Sequence, residues 1–377
     1  MKNKNILISG MGVAGLTLAY FLKQYGFTPT LVERSPGLRV GGFKVDIRGV
    51  AFEVVKRMRL LDILLEKQAS VTRSCEIDTD GKVLNEVKGS VYNALTGNDF
   101  EILRGTLCET ILSTLTDVEC LYNNNITHVE QTTQGINVSF DQGNNRQFEL
   151  LVGADGLHSN VRRLAFGEEK NYFKDMGLYI SIYSMPNMLA LKEEELLFER
   201  PHRFINVYNA GQNESLRVAL VFNANALKVN YKDISAQKKA IHSVYAGMGW
   251  RTEELLSYMD KAGDFYFDNV AQIHMPTWSC ERVALLGDAG YCGSPLSGQG
   301  TSLALVGAYV LADELSTSGG DFYQAFHRYE ERLRFFVETN QALGQYTADS
   351  LLTGTDNSFE FEKRQKMFAD ASNAIKL

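Results

Sequence analysis

The chain has 377 residues, of which 45% are hydrophobic and 22% charged, and its formal net charge is −7. This length allows two domains or one large α/β unit, and the composition is that of a globular protein rather than a disordered one. The negative charge argues against a nucleic-acid-binding protein, which needs a basic face, and no apolar run approaches the roughly 18 residues that span a bilayer.

The first elements in chain order predict a parallel β-α-β unit. Ile6 to Ile8 is a short apolar strand, residues 16–25 have a helical pattern that Gly26 ends, and Thr30 to Val32 is a second strand. A strand, a helix and a strand within about 30 residues imply a parallel sheet.

The later segments divide by pattern. Helical patterns are expected at 50–68, 105–115, 233–260, 298–315 and through most of 321–377. Short strands separated by turn residues are expected at 71–102, 118–130, 135–150, 149–154 and 282–286. The region from 172 to 272 is rich in Tyr, Phe and Val with alternating polarity, which predicts a second domain built on an antiparallel sheet.

Cysteine and histidine usage predicts a cytoplasmic protein without a metal site. The five cysteines form no CxxC pair, and the six histidines form no HExxH or HxH motif. Such usage is typical of reduced thiols rather than a disulfide framework. The basic start of the chain, Met1 to Asn5, leads into an apolar run that glycines soon interrupt. We therefore interpret this run as the first strand of the fold and not as a secretion signal.

A glycine-rich motif, Gly10-Met11-Gly12-Val13-Ala14-Gly15, joins the first strand to the first helix. In such a motif the first glycine permits the tight turn, the second lets a pyrophosphate approach the backbone, and the third lets helix and strand pack closely. The helix N-terminus then directs free N–H groups and a partial positive charge at the phosphates. Because the motif follows a strand and opens a helix, it predicts a dinucleotide site rather than an unrelated glycine-rich turn.

Glu33 ends the second strand, about 20 residues after the motif, where an acid can bind a ribose hydroxyl pair. An acid at this position favours an unphosphorylated ribose, so the site suits NAD or FAD and not NADP. The motif and Glu33 do not distinguish between those two cofactors.

Two later segments follow apolar strands and favour FAD. Asp155-Gly156 opens the first, and Gly287-Asp288-Ala289, followed by Pro295 and Gly298-Gln299-Gly300, forms the second. A carboxylate at a strand end, such as Asp288, can bond a ribityl hydroxyl. The helix that begins near Gly298 can face a pyrophosphate or the electron-rich O2 side of a reduced flavin. The structural alternatives are a helix N-cap for Asp288 and a solvated loop amide for Gln299.

With GxGxxG near its start, Asp-Gly in mid-chain and Gly-Asp towards its end, the chain resembles the group A flavoprotein monooxygenases, the family of para-hydroxybenzoate hydroxylase. The resemblance covers nearly the whole chain. Within that family the chain is most similar to the tetracycline-inactivating monooxygenases, the tetracycline destructases. The segments that carry this similarity are Gly41-Gly42-Phe43-Lys44-Val45-Asp46-Ile47-Arg48-Gly49, Glu101-Ile102-Leu103-Arg104-Gly105 and the run from Gly287 to Gly300.

The resemblance implies roles for single residues. Arg104 would contact the FAD phosphates, Asp288 the ribityl–pyrophosphate stretch, and Gly298 to Gly300 the neighbourhood of the isoalloxazine. Gly42 and Asp46 would approach the flavin ring, and Asp155-Gly156 is associated with both FAD and the nicotinamide cofactor. The candidate cofactor-binding residues are therefore Gly10, Gly12, Val13, Ala14, Gly15, Glu33, Arg34, Gly42, Asp46, Arg104, Asp155, Gly287, Asp288, Pro295, Gly298 and Gly300.

Structural alternatives stand beside three of these roles. Arg104 could pair with Glu101 or Glu109, Asp46 could be a turn residue, and Arg48 could be a surface charge. Tyr291 occupies a position where many family members have His, so any role of that histidine is in doubt here.

The expected fold is α/β, with a Rossmann-like FAD-binding domain, an inserted antiparallel-sheet substrate domain and a C-terminal helix. The expected boundaries are 1–72, 98–171 and 273–320 for the FAD-binding domain, 73–97 and 172–272 for the substrate-binding domain, and 321–377 for the C-terminal helical segment. The C-terminal segment has one apolar stripe at helical spacing, made of Phe322, Phe326, Tyr329, Leu333, Phe336 and Val337. Core packing is its expected role, and the alternative is a helix that bridges the two domains near the substrate entrance.

The resemblance implies that NADH or NADPH reduces FAD and that O2 adds at flavin C4a to give a hydroperoxide, which hydroxylates an aromatic or polycyclic substrate. Tetracycline is the sharpest candidate substrate, which would make the protein an antibiotic-resistance enzyme. No catalytic side chain is assigned, because the cofactor supplies this chemistry while the protein orients it and excludes water.

Three other functions stay open: an FAD-dependent reductase or dehydrogenase without oxygen insertion, a non-catalytic flavin-binding protein, and an NAD-dependent dehydrogenase. As partners we expect a small molecule and O2, no nucleic acid and no membrane, and the chain itself as a monomer or weak dimer.

Overall fold

The computed structural model describes residues 4–38, 42–69, 71–89, 97–209, 215–223, 229–230, 233–353 and 358–377. A six-stranded sheet forms the centre of its first part. In spatial order the strands are β17 (Ser279–Cys280), β18 (Val283–Leu285), β11 (Leu150–Gly153), β1 (Asn5–Ser9), β2 (Thr28–Val32) and β7 (Glu119–Leu121). All neighbouring pairs are parallel except β17–β18, as the β-α-β pattern predicted.

Helices surround this sheet. They are α1 (Val13–Gln24), α2 (Val50–Arg57), α3 (Leu61–Glu66), α4 (Arg104–Leu112), α5 (Asn160–Phe166), α8 (Asp288–Tyr291) and α9 (Gly300–Thr317). The helix α9 is buried along most of its length because other elements cover all of its sides. Its contacts with α1, α2 and the strand β3 (Lys44–Ile47) place it at the middle of the main hydrophobic core.

Two smaller sheets extend this part of the molecule. The strand β3 pairs with β6 (Phe100–Leu103) in an antiparallel ribbon. A three-stranded antiparallel sheet consists of β8 (Ile126–Thr132), β9 (Gly135–Phe140) and β10 (Arg146–Phe148).

A seven-stranded sheet forms the second part. Its strands in spatial order are β16 (Tyr266–Ile273), β12 (Phe173–Pro186), β15 (Ser215–Asn223), β14 (Arg203–Tyr208), β13 (Glu194–Arg200), β4 (Arg73–Ile77) and β5 (Val83–Lys88). Neighbouring strands are antiparallel except β13 and β4, which are parallel. One face packs on α6 (Ile234–Tyr245) and α7 (Thr252–Lys261) through a core rich in aromatic side chains.

Two helices end the described chain, α10 (Phe322–Thr353) and α11 (Ser358–Ser372). The six residues of the apolar stripe all lie in the main core, so core packing is confirmed as their role. At 32 residues, α10 is about 48 Å long. Its last turns reach the second sheet, where Ala348, Leu351 and Leu352 pack against the face that α6 and α7 leave open.

The α/β fold class is confirmed, with a Rossmann-like part, an inserted sheet and C-terminal helices. In the seven-stranded sheet, the parallel pairing of β13 with β4 is a detail that alternating polarity does not reveal. None of the helices in the described ranges has the length and apolar character needed to cross a bilayer.

Candidate functional site

The sequence motifs meet at one edge of the six-stranded sheet. The strands β18, β11, β1 and β2 are adjacent and parallel, so their carboxyl ends share that edge. Gly10 follows β1, Glu33 follows β2, Asp155 follows β11, and Gly287-Asp288 follows β18. Ligands of open α/β sheets bind at such an edge.

Close backbone contacts join these motifs. Gly10 has a φ of +104°, and a Cβ added there would overlap the carbonyl of Ala154, next to Asp155. A Cβ at Gly12 would lie 3.1 Å from Nη2 of Arg104, and one at Gly287 would lie 3.1 Å from Cβ of Ala14. The glycine-rich loop therefore touches both later motifs and Arg104.

Two hydrogen bonds from backbone N–H groups hold the Glu33 side chain beside the glycine-rich loop. Its Oε2 accepts a hydrogen bond from the backbone N of Met11 at 3.0 Å, and its Oε1 accepts one from the backbone N of Ser35 at 3.0 Å. A carboxylate has about four acceptor sites, so capacity for further donors remains. The adjacent Arg34 is exposed.

The Asp155 carboxylate is occupied within the chain. Its Oδ1 accepts from the Ser159 hydroxyl, and its Oδ2 accepts from the backbone N of Asn160 at 2.9 Å and of Val161 at 3.1 Å. These bonds lower its pKa, but burial outweighs them and raises it overall. Asp155 thus shapes the turn into α5 rather than presenting a free carboxylate.

The Asp288 side chain is exposed to solvent but lies among surrounding protein groups. Its side chain is exposed, yet burial among surrounding groups raises its pKa, against the lowering effects of Cys292 and Arg104. The two observations agree if the carboxylate faces a cleft with protein walls. Pro295 and Gly300 are likewise exposed. Gly287, not Asp288, caps the short helix α8, so the N-cap alternative does not apply.

Arg104 lies between the glycine-rich loop of residues 10–15 and the segment that contains Gly42. It is the first residue of α4, its backbone N donates to the Phe43 carbonyl at 3.1 Å, and a Cβ added at Gly42 would lie 3.7 Å from its own Cβ. Its proposed partner Glu101 instead pairs with Lys44, at 3.1 Å.

Asp46 and Arg48 form a buried pair behind the Gly42 loop. Asp46 lies in β3 rather than a turn, and its Oδ2 is 3.0 Å from Nη2 of Arg48. Arg48 is 2% exposed, so the surface-charge alternative is wrong. Its guanidinium lies 5.3 Å from the Phe368 ring of α11.

The segment from Pro295 to Gly300 leads into α9. A short 3-10 helix ends at Gly298, which has a φ of +62°. Gln299 is fully buried and not a solvated amide, since its Nε2 donates to the Ser372 hydroxyl at 2.7 Å. Its Oε1 is buried and finds no hydrogen-bond partner in the described part of the chain.

An apolar cluster adjoins this segment. It lies against the face of the seven-stranded sheet opposite α6 and α7, where Ile180, Ile182 and Val221 pack with Phe43 and Leu296. The aromatic side chains of 172–272 lie mostly on the other face, where Tyr179, Tyr183, Phe222 and Phe267 are core. These four aromatic side chains therefore stabilise the core of the second part.

Tyr291 has a structural contact. It is fully buried, and its hydroxyl lies 2.9 Å from the Tyr329 hydroxyl. Because the Tyr329 hydroxyl donates its one proton to the Leu285 carbonyl at 3.0 Å, it accepts from Tyr291. This tyrosine joins α10 to the end of β18 instead of facing the cleft.

A cluster of charged side chains beside the cleft escaped the sequence analysis. It contains His158, Arg162, Glu169 and Asp268, with Tyr266 next to Asp268. His158 lies within the Asp-Gly segment, but its partner Asp268 is 110 positions away, so no local pattern joins them. Among the described residues, no group of His, Cys, Asp and Glu could hold a metal ion.

Comparisons with known proteins agree with this geometry. The family model described as "FAD binding domain" matches residues 3–321. A flavin-dependent monooxygenase of Legionella longbeachae is 37% identical, over 100% of this chain and 98% of that protein. The crystal structure of the tetracycline destructase Tet(51) superimposes with a TM-score of 0.92 at 36% identity, covering 100% of this chain and 99% of that one. The corresponding values for Tet(55) are 0.90 and 36%, with 100% and 98% covered.

Proposed function

We propose that this chain, which belongs to the FAD-binding-domain family and is a flavin-dependent monooxygenase, binds FAD in the cleft at the carboxyl ends of β1, β2, β11 and β18. We further propose that it oxygenates a polycyclic substrate in an apolar chamber walled by the adjoining apolar cluster. The observation that carries this proposal is the Asp288 carboxylate, which is open to solvent within walls of protein. A cleft of this kind suits a long polar cofactor.

The chemistry of the cleft residues fits FAD along its length. The first turn of α1 and the Arg104 guanidinium beside Gly12 supply N–H donors for a diphosphate. Glu33 and Asp288 supply acceptors for ribose and ribityl hydroxyls. The buried Oε1 of Gln299, which lacks a partner in the described chain, supplies an acceptor for an N–H group of a ring.

Each candidate residue then has a share in holding the cofactor. Gly10, Gly12, Val13, Ala14 and Gly15 form the loop and helix start that face the diphosphate, while Glu33 and the exposed Arg34 face the adenosine end. Asp155 acts through the turn that it stabilises, and Asp46 acts through the strand β3 that follows Gly42. The residues near the ring are Gly42, Gly287, Pro295, Gly298 and Gly300.

FAD, once bound, supplies electron transfer from a nicotinamide and the reaction with O2. The chain's own contribution is to bind substrate and exclude water. Only one GxGxxG motif is present in the sequence, so we propose that NADH or NADPH docks transiently and leaves after giving up its hydride.

We place the substrate at the face of the seven-stranded sheet opposite α6 and α7, in the domain made of 73–97 and 172–272. Ile180, Ile182, Val221 and Phe43 offer an apolar wall suited to fused rings. The two destructase structures make tetracyclines the sharpest candidate, and inactivation of the drug would make the protein a resistance enzyme.

The test is aerobic incubation of the FAD-loaded protein with tetracycline and NADPH in 18O2. We expect loss of the drug absorbance and one labelled oxygen atom in the product. Drug loss without label would indicate a reductase and contradict oxygen insertion. An unchanged drug, together with NADPH oxidation stimulated by another aromatic compound, would contradict the tetracycline assignment alone.

A further inference from the structure

A chain of hydrogen bonds leads from the apolar chamber towards the surface. The Tyr266 hydroxyl donates to Oδ2 of Asp268 at 3.3 Å, and Oδ1 of Asp268 lies 3.0 Å from Nε2 of His158. On the other side of the ring, Nδ1 of His158 lies 2.9 Å from Oε1 of Glu169. Both ring nitrogens thus face a carboxylate oxygen. Because a carboxylate oxygen only accepts, both hydrogen bonds form when the imidazole is protonated on both nitrogens.

The two ends of this chain lie in different surroundings. Tyr266 packs against the apolar cluster that we propose to wall the chamber, with its ring centroid 6.4 Å from that of Phe43. Burial raises the Tyr266 pKa well above its ordinary value, and the charges of Asp268 and Asp288 raise it further. The Glu169 side chain is 33% exposed and that of His158 is 20% exposed. The inner end therefore meets the chamber and the outer end meets solvent.

The proposed reaction creates a need for such a path. Oxygenation of a substrate RH follows RH + O2 + NAD(P)H + H⁺ → ROH + NAD(P)⁺ + H2O, so each turnover takes up one proton. Because water is excluded from the chamber, that proton must come through the protein. We propose that His158 is the proton donor for the chamber and that Asp268 and Tyr266 pass its proton inward. This inference rests on the proposed function.

The transfer balances without any change other than O–H and N–H bonds. The Tyr266 hydroxyl turns from Asp268 and gives its proton to the oxygen that leaves as water. Asp268 takes the Nε2 proton of His158 and returns Tyr266 to its phenol form. His158, now neutral, turns its bare nitrogen to solvent, takes a proton from a hydronium ion and swings back. Every side chain ends in its starting state, and no electron moves.

The charges around His158 favour the protonated form of its imidazole. Burial lowers the His158 pKa, but the hydrogen bonds that the ring donates to Asp268 and Glu169 outweigh burial and raise the pKa to about 9, so the ring is protonated near neutral pH. Arg162 bonds the other oxygen of Glu169 at 2.7 Å and the Ala289 carbonyl at 2.8 Å, which fixes Glu169 in place. On the remaining side, the Phe173 ring stacks on the imidazole at 6.0 Å and offers no proton.

Three variants test the donor. In the FAD-loaded enzyme with tetracycline and NADPH, H158Q and Y266F should each lower kcat at least about tenfold, with KM nearly unchanged, because a general acid typically contributes about a hundredfold or more. Added imidazole should restore H158Q but not Y266F, since only the first variant leaves room for a replacement ring. The control H242Q removes an exposed histidine that pairs with Asp260 at 3.1 Å, and its kcat should equal that of the wild type.

A second readout does not depend on turnover. In the apoprotein, 15N NMR should show His158 protonated on both nitrogens at neutral pH with a pKa near 9, and D268N should lower that pKa. An ordinary histidine pKa near 6.5 would overturn the proposal. So would an H158Q enzyme with wild-type kcat, or one whose loss imidazole does not repair.

The two possible failures can be separated. If the proposed function is wrong, the wild type puts no 18O into any product. If only the donor assignment is wrong, the wild type incorporates 18O and H158Q does so at the same rate.

Discussion

The carboxylates around the cleft differ in how far the chain itself satisfies them. Asp155 accepts three hydrogen bonds within its own turn, Glu33 accepts two from backbone N–H groups, and Asp288 faces the open cleft. A carboxylate that accepts hydrogen bonds from its own chain stabilises the fold, whereas a carboxylate with unused acceptor sites is available to a ligand. The same residue type therefore serves two purposes within one site.

This contrast gives a matched pair of substitutions. We expect Asp288→Ala to weaken FAD binding by about ten- to a hundredfold, because a hydrogen bond to a charged group contributes about 1.5–3 kcal/mol. Asp155→Ala should instead lower the free energy of unfolding by about 1–3 kcal/mol, because it strips three donors of their acceptor. Fluorescence titration with FAD and urea denaturation of the apoprotein measure the two effects. Equal losses of FAD affinity in both variants would contradict this division.

Among the elements, α9 is fixed by a close contact with Tyr291. A Cβ added at Gly307 would overlap the Tyr291 hydroxyl, and that hydroxyl is held by Tyr329 of α10. Three elements, α8, α9 and α10, thus meet at one glycine. Such tight packing explains why a tyrosine occupies this position although it does not reach the cleft.

We expect Gly307→Ala to lower the free energy of unfolding by about 1–3 kcal/mol through overpacking. Tyr291→Phe removes the overlapping hydroxyl, so the double variant should recover part of that loss. Urea denaturation of both single variants and the double variant measures the coupling. Strictly additive effects would show that the glycine is not required by Tyr291.

The C-terminal helix α11 lies against the segment that we propose to face the flavin ring. Its Ser372 accepts the Gln299 amide, and Asn340 of α10 donates to the Ala371 carbonyl at 3.2 Å. The hydrogen bond to Ser372 holds the side chain of Gln299, which lies next to the proposed chamber.

Deletion of residues 354–377 should therefore leave FAD bound but change kcat or KM for the substrate. FAD absorbance of the purified variant and its NADPH oxidation with tetracycline are the measurements. Ser372→Ala, which removes the Gln299 bond alone, shows how much of the change that bond explains. Unaltered kinetics in the truncated protein would argue against any role of α11 at the chamber.

For the whole molecule, His158 joins the two sheets. It lies in the loop after β11 of the first sheet, and its partner Asp268 lies in β16 of the second. The folded-state pKa of about 9 exceeds the ordinary value of 6.5, so the folded protein binds the proton more tightly than the unfolded chain. This contribution to stability is complete below pH 6.5 and is lost as the pH rises to about 9.

We expect the free energy of unfolding to fall between pH 6.5 and pH 9 in the wild type and to fall less in His158→Gln. Urea denaturation at several pH values in this window measures the slope. His242→Gln, with its exposed ion pair, should keep the wild-type slope. Parallel slopes in all three proteins would refute the link.

Local patterns in the sequence were sufficient for the nucleotide-binding part. Gly10, Gly12 and Gly15 and the acid Glu33 each follow from a turn or strand end within one β-α-β unit, and the parallel order of strands then brings Asp155 and Asp288 to the same edge. Alternating polarity predicted the second sheet. The parallel pair β13–β4 was not predictable, since strands 73–77 and 194–200 meet only through tertiary contacts.

The sequence by itself determined the fold class, the FAD-binding family and the residues at the strand ends, because short-range geometry dictates each of them. Only the tertiary structure decided how each side chain is used. It showed that Asp155 caps a turn, that Arg48 is buried with Asp46, that Gln299 is held by α11, and that His158 meets Asp268. These pairings join residues from separate elements, and their burial, charge and hydrogen bonds exist only after the chain has folded.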